Sequence, residues 1–419
     1  MGIKTMTTEI YKVRSKKTTL SVTNNTISAI NKSDTEKTGF RIYDNGCIGV
    51  AGAIGKYNEN QLADRAKHML KFKIPYDCEP ASDISRTEDL SDSFTLTDED
   101  FVRSSGEVLA MLANEYPRFS FSHKIFYDES ETQLSNDRGA GLSCRDKSVQ
   151  FEMLVKHKAS KSMMDGIGAA TIRGFDKDAI FSSLSEICAC FEDEVSPPEE
   201  KMPVVILINQ EFQLQKFLTD LNGRAMGTNA SLFSGKLGQK LFADHFSLCV
   251  QRGPREHYQC FFDAEGTVLP DDRFFLIENG VLKSPYSSKK TAKQYGFEIT
   301  GSAGGEYDSV PDTSYGSIGV QPGDKTIKEL LGGRKAVYVV FASGGDFTSQ
   351  GEYASPVQSA FLFDGTSLLG RLPQLSIRSN VFDMFGKDFI GVSSDGNNPH
   401  CPYKYLAIDM NVSSIGGWI

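Results

Sequence analysis

The sequence predicts an α+β protein of two domains. Residues 1–195 form an N-terminal mixed α/β domain with a strand meander and helices, and residues 203–419 a C-terminal, mainly antiparallel β domain around a central helix. Three observations support this. Alternating apolar runs separated by Asn-Asn or Asn-Gly turns recur in the first sixty residues, the mark of hairpins. A meander accompanied by a few amphipathic helices is the pattern of an α+β fold. An acidic stretch with a Pro-Pro pair, Glu192 to Glu200, punctuates the middle of the chain and marks a boundary.

Taken in order, residues from about Thr18 to Ala53 read as strands joined at Asn24-Asn25 and Asp44-Asn45-Gly46, where both turn residues tolerate positive φ. The basic run Lys12 to Lys17 reads as a solvated tail. A helix is predicted from about Asn60 to Phe72, with Leu62, Ala66 and Met69 on one side and His68 off it. Cys78 to Asp100 is polar and acidic without apolar rhythm, and reads as a surface excursion. A second helix runs from about Asp98 to Tyr116, ahead of Pro117. Strands are expected over Phe119 to Tyr127, Thr132 to Leu134 and Val149 to Lys156, with Asn136-Asp137-Arg138-Gly139 as a turn. A third helix gathers Ile180, Phe181, Leu184, Ile187, Cys188 and Phe191 on one face, leaving Cys190 off it.

The second domain opens with a buried strand, Val204 to Ile208. Leu214, Phe217, Leu218, Leu221 and Ala225 then fall at the spacing of one apolar helix face, and Asn222-Gly223 supplies a stop or bend. From Gly227 to Gln239 the chain is polar and dotted with glycine, suited to the wall of a cleft. His245 to Gln251, Cys260 to Phe262, Phe274 to Ile277, Val281 to Lys283, Ala336 to Ala342, Ala360 to Phe363 and Tyr405 to Ile408 read as strands. Asp324 is expected to cap a short helix from Thr326 to Leu331.

The 419 residues are 39% hydrophobic and 24% charged, a composition that buries a sizeable core. A net charge of -9 and a pI of about 5.3 argue against a surface that tracks phosphates, so no nucleic acid partner is expected. No apolar run is long enough for a membrane span or a signal-peptide core, and a cytoplasmic location without membrane association is expected. Eight scattered cysteines read as reduced thiols.

Several constellations attract attention. His245-x3-Cys249 with His257-x2-Cys260 contains a zinc-type donor set, but His257 and Cys260 have opposite strand parity, unlike His245 and Cys249, and the two pairs must meet across a loop. His400-Cys401 places a thiol beside an imidazole, although adjacent side chains rarely converge. Gly166-Ile167-Gly168 and Ser343-Gly344-Gly345 lack the remaining residues of a phosphate loop. Asp263 and Glu265 precede Gly266 in an apparent turn and read as surface caps.

Five ordered blocks carry a resemblance. They are Asn222-Gly223-Arg224-Ala225, Ser231 to Gln239 (SLFSGKLGQ), Phe262-Asp263-Ala264-Glu265-Gly266, Leu276 to Leu282 (LIENGVL), and Thr291-Ala292 with Thr300-Gly301. In order and spacing they resemble the TldD/PmbA family, the modulators of DNA gyrase. The resemblance implies two branches that work as a pair, of which TldD carries an H-E-x-x-x-H zinc motif on the central helix. Here the motif positions fall on Leu214, Gln215 and Thr219, so the chain is similar to the TldE/PmbA branch. Five helical residues turn the chain by about 140°, so Leu214 joins the apolar stripe and Thr219 does not.

What the resemblance implies is no catalytic and no metal-ligating residue on this chain. Zinc is expected on a TldD-like partner, the assembly is a heterodimer with that partner or a homodimer, and the substrates are extended peptides. Asn222, Arg224, Ser231 and Lys236 are the candidate cleft residues. The first reading is the non-catalytic subunit of a TldD/TldE-type metalloprotease acting in peptide maturation and antitoxin degradation. The alternative is a homodimeric peptide-binding module without proteolytic activity. A hydrolase built on Cys401 or on His245 and Cys249 is a third reading.

Overall fold

The structure is a computed structural model that describes residues 6–162, 165–207, 213–316, 318–396 and 403–415. The first half of the chain builds one sheet. Its elements are β1 (Thr7–Thr23), β2 (Thr26–Asp44), β3 (Cys47–Ile54), α1 (Glu59–Met69), β4 (Ile74–Pro75), β5 (Ile84–Asp89), α2 (Asp98–Glu115), β6 (Phe119–Asn136), β7 (Ala140–His157), β8 (Gly166–Ile172) and α3 (Lys177–Cys190). The strand order is β4-β3-β2-β1-β6-β7-β5, with β8 also paired to β7. All these pairings are antiparallel except β5 with β7.

The hairpin turns lie where the sequence places them. Asn24, Asn25, Asn45 and Gly46 all hold positive φ, at 48°, 68°, 48° and 74°, conformations that Asn and Gly adopt at low cost. The strands between them are longer than the apolar rhythm indicates. Lys12 to Lys17 is not a tail: it is mid-strand in β1, paired to β2 on one side and β6 on the other. Likewise Asp128 to Glu131 does not interrupt β6. The charges are matched across strands, Arg14 with Asp34 at 2.8 Å and Lys17 with Asp128 at 3.2 Å, so solvated cross-strand pairs take the place of an apolar face. The expected excursion after Cys78 also contains a strand, β5.

α2 and α3 cover one face of this sheet. Phe101, Val108, Leu109 and Leu112 of α2 and Ile180, Leu184 and Ile187 of α3 pack with Leu20, Phe121, Ile125, Val149 and Phe151. Cys190 is buried together with Cys188, because the end of α3 is covered on more than its apolar stripe. α1 packs Leu62 and Ala66 on Phe40, Ile42 and Ala51, while His68 is exposed as expected.

From residue 201 the chain runs β9 (Lys201–Leu207), α4 (Gln215–Asp220), α5 (Gly223–Gly227), β10 (Leu248–Gln251), α6 (Pro254–His257), β11 (Arg273–Glu278), β12 (Val281–Leu282), α7 (Lys289–Tyr295), β13 (Ala303–Gly304), β14 (Asp312–Thr313) and β15 (Ile318–Val320). Then follow α8 (Ile327–Leu331), β16 (Ala336–Ala342), β17 (Asp346–Phe347), β18 (Glu352–Phe363), β19 (Leu368–Arg371), β20 (Leu375–Asn380), α9 (Val381–Met384), β21 (Phe389–Val392) and β22 (Tyr405–Ser414). The main sheet has the order β16-β9-β22-β20-β18-β17, and a further β16–β18 pairing closes that path on itself. A smaller sheet orders β12-β11-β10-β15.

Cys260 to Phe262 forms no strand; Phe262 makes an isolated bridge to Val268. Thr326, rather than Asp324, caps α8, with Glu329 completing a capping box. The acidic segment at the expected boundary is tied down: Val195 N donates to Arg371 O and Arg371 N to Asp193 O, at 3.0 and 2.7 Å.

The 305–309 turn of the second half settles on the first sheet. It lies over Gly39 of β2 and Gly52 of β3, where a Cβ on Gly39 would overlap the Tyr307 carbonyl. Among the described residues no helix is long and apolar enough to cross a membrane.

Candidate functional site

The central helix is shorter than its apolar spacing suggests. The bend expected at Asn222-Gly223 divides the apolar stripe: α4 ends at Asp220 and α5 begins after Asn222, whose side chain accepts from Arg224 N at 2.9 Å. Tyr286 holds the break. It donates its hydroxyl to Leu218 O at 2.5 Å, gives its amide to Leu221 O, and accepts Gly223 N on its carbonyl. Gly223 is needed there, since a Cβ would sit 2.7 Å from Thr291 Cγ2 and against Ser287 Oγ. The backbone exchange with Tyr286 outweighs the continuing apolar pattern.

Phe217 is fully buried and its ring meets Phe233, Phe246 and Phe385 at centroid distances of 5.8, 5.6 and 4.9 Å. Leu214 shares this core at 4% exposure, whereas Gln215 and Thr219 face solvent. The Thr219 hydroxyl lies 3.0 Å from Gln215 O within its own helix. A zinc ion does not fit these three positions: Leu214 offers no lone pair, and the two polar side chains are on the opposite face.

Sequence reasoning overlooked what α4 does carry. Lys216 and Asp220 are both buried and paired at 2.9 Å. The other Asp220 oxygen accepts Leu232 N at 2.6 Å, and Leu232 O accepts Lys236 Nζ at 2.6 Å. Helix and glycine-rich loop are thereby joined through one carboxylate. The signal was present, a Lys and an Asp four residues apart beside the apolar stripe, but such pairs are ordinarily solvated.

Of the candidate cleft residues, Ser231 accepts Phe233 N at 2.9 Å and Lys236 serves the loop carbonyl just described, so both shape the 231–239 loop. Asn222 and Arg224 lie together on α5. The Arg224 side chain is 61% exposed and pairs with Asp312 of β14 at 3.1 Å.

The histidines and cysteines do not converge. His245 Nε2 lies 3.1 Å from Phe389 O and its ring stacks on Phe389, while Cys249 is buried and its thiol is pushed up to about 11 by burial. His257 is on α6, its imidazole pushed down by burial. Among the described residues no group of three or more His, Cys, Asp or Glu side chains is placed to hold a metal. His400-Cys401 lies outside the described residues. Gly166-Ile167-Gly168 opens β8, and Ser343-Gly344-Gly345 lies between β16 and β17.

Asp263 and Glu265 are not surface caps, for each is only 2% exposed. Asp263 accepts Glu265 N and Thr267 N on one oxygen, both at 2.9 Å, and Ala303 N on the other at 3.0 Å. Glu265 accepts the Tyr76 hydroxyl at 2.5 Å and Lys289 N, the first amide of α7, at 2.7 Å. Between them Ala264 O accepts from Arg41, a buried guanidinium that also pairs with Glu9 at 3.1 Å. Burial, then the neighbouring Asp263 charge, pushes the Glu265 carboxyl up to about 7. The turn is thus the polar seam between the first sheet and the second half of the chain.

A family model described as the PmbA/TldA metallopeptidase C-terminal domain matches residues 200–414, and a second, PmbA/TldA metallopeptidase domain 1, matches residues 8–69. A metalloprotease of Methanothermobacter thermautotrophicus is 28% identical over 167 residues, which cover 39% of this chain and 36% of that protein. A zinc metalloprotease TldD homolog of Saccharolobus solfataricus is 27% identical over 177 residues, 40% of this chain and 39% of that protein. Well under half the length of either relative is therefore matched. The crystal structure of TldE from Thermococcus kodakarensis has the same fold, with a TM-score of 0.78 at 17% identity and 97% coverage of both chains.

Proposed function

This chain belongs to the PmbA/TldD family, and from that premise we propose that it is the subunit of a TldD/TldE-type metalloprotease that carries no metal of its own. One observation supports the reading above the others: on α4 the three positions of the family's zinc motif hold a core leucine and two outward polar side chains, Gln215 and Thr219. Hydrolysis then resides on a TldD-like partner, where zinc is bound. This chain, organised as residues 1–195 and 203–419 and working in the cytoplasm, contributes the shared wall along which extended peptides lie. Asn222 and Arg224 on α5, with Ser231 and Lys236 shaping the adjoining loop, form its cleft. Unstructured peptides are the substrate class, in peptide maturation or antitoxin degradation.

Metal analysis and peptidase assays on the purified chain, alone and then mixed with a TldD-like subunit of the same organism, test this. Activity in the mixture only, with no metal on the isolated chain, is the expected result. Stoichiometric zinc and peptide cleavage by the chain alone would overturn it. A stable homodimer that binds extended peptide, ignores the TldD-like subunit and cuts nothing would establish the binding-module alternative.

A further inference from the structure

A cavity of about 600 Å³ opens on the smaller sheet of the second half. Its floor crosses three strands. Arg273 of β11 stands opposite Gln251 of β10, and the Gln251 carboxamide lies over Gly319 of β15, where a Cβ would come within 2.5 Å of its oxygen. The bare backbone at Gly319 leaves room for that amide. One wall is the turn around α6. Gly253 and Gln259 bridge its two ends, and Arg173 clamps it, donating to Arg255 O at 2.9 Å with its guanidinium 3.9 Å from the centre of the Tyr258 ring. His257 and Gln259 are thereby held on the cavity lining. A second wall is Tyr403 and Lys404, just ahead of β22, and Ile318 and Pro322 add apolar surface.

The charge on this lining is unbalanced. Arg273 and Lys404 both belong to it, and among the described residues neither has a carboxylate partner. The acid beside them, Glu256, is 85% exposed and leans towards His257 at 3.7 Å. Arg86, Arg138 and Arg371, which line other cavities, are instead paired with Asp272, Glu79 and Glu194. In a chain of net charge -9, two uncommitted cations on one cavity suit an anionic ligand group. The amides of Gln251, Gln259 and Gln321 each offer a donor and an acceptor, which matches peptide groups better than a phosphate, whose oxygens mainly accept. A carboxylate preceded by peptide groups is the end of a polypeptide.

We propose that this cavity binds the C-terminal carboxylate of an extended peptide. Arg273 and Lys404 supply its countercharges, the glutamine amides meet the last peptide groups, and Ile318, Pro322 and Tyr403 receive the terminal side chain. The peptide class rests on the function proposed above; the demand for a free carboxylate, and its place on β10, β11 and β15, do not. No bond is made or broken, and neither a metal nor a partner subunit takes part.

The test uses the full-length chain by itself and the hexapeptide Gly-Ala-Gly-Ala-Gly-Phe, labelled at its amino end and closed either by the free acid or by the amide. Fluorescence anisotropy should show the acid binding at least about tenfold more tightly, the worth of one charge-assisted hydrogen bond. Arg273→Gln and Lys404→Gln should each bring the acid towards the amide while leaving the affinity for the amide unchanged. Arg273 is exposed, so its replacement leaves the fold intact even if a change at Gly319 does not. Equal binding of acid and amide, or no binding of either, would overturn the proposal. So would a preference for the acid that survives both glutamine variants, or one that Arg224→Ala removes instead, since the carboxylate would then lie at α5. Cleavage in a mixture with a TldD-like subunit plays no part in this measurement, which separates failure of this site from failure of the subunit reading.

Discussion

The Tyr76 hydroxyl donates to Glu265 Oε1 across 2.5 Å, while the other oxygen of that carboxylate accepts the first amide of α7. A side chain of the first half thus reaches a carboxyl that sets the start of a helix in the second. With its pKa raised from 4.5 to about 7 by burial and the Asp263 charge, Glu265 binds its proton more tightly in the folded than in the unfolded chain. Its contribution to stability is complete below about pH 4.5 and is lost as the pH rises through 7. The loss is about 3 kcal/mol. Denaturant midpoints of wild type and Glu265→Gln at pH 5 and pH 8 should therefore show wild type losing ground to the variant at the higher pH. Parallel profiles would mean that Glu265 does not titrate in this window.

Asp220→Ala leaves the buried Lys216 ammonium without its countercharge and Leu232 N without an acceptor. Breaking one side of such a pair costs about 3–5 kcal/mol. Equilibrium unfolding should register that loss, and limited proteolysis should open the chain between Ser231 and Leu241. The double variant Lys216→Met, Asp220→Leu should be less destabilised than Asp220→Ala, since no unpaired charge remains.

Gly39→Ala and Gly106→Ala should move stability in opposite directions. At Gly39 the new Cβ would lie 2.9 Å from the Tyr307 carbonyl carbon and closer still to its oxygen, forcing the 305–309 turn off the sheet for about 1–3 kcal/mol. Gly106 sits inside α2 with only Ile27 Cδ1 nearby, at 4.0 Å, and alanine there should add about 1 kcal/mol through helix propensity. Thermal unfolding of the two variants decides the point; a stable Gly39→Ala would mean the turn docks elsewhere.

Arg224→Ala should leave stability within about 0.5 kcal/mol of wild type, because its pair with Asp312 is half exposed on both sides. On the proposed function it should nonetheless weaken binding of an extended peptide or of the TldD-like subunit, measured by calorimetry. Unchanged binding would reduce Arg224 to a surface ion pair.

What could be read from residues alone was whatever local geometry dictates. Asn24-Asn25 and Asn45-Gly46 mark their turns because few other residues take positive φ, and the amphipathic stripes of α1 and α3 announce their buried faces. The ordered blocks around Asn222, Ser231, Phe262 and Leu276 pointed to the family that the matched models then showed. Lys12 to Lys17 was misread because its strand is stabilised by partners on β2 and β6, not by its own pattern. The same holds for Asp263 and Glu265. Their burial depends on Arg41 and Tyr76, which lie far away in sequence.

The strand order of the main second sheet carries a consequence for biosynthesis. The first sheet has all its strands once residue 172 has left the ribosome, but β9, made next, lies between β16 and β22. Its antiparallel partner, Tyr405–Ser414, emerges only after nearly all the intervening chain. Until then the apolar strand Lys201–Leu207 offers unmet hydrogen-bonding edges to any other nascent chain. Truncated products that stop before residue 405 are therefore expected to be sticky clients of chaperones, even though their first sheet is already complete.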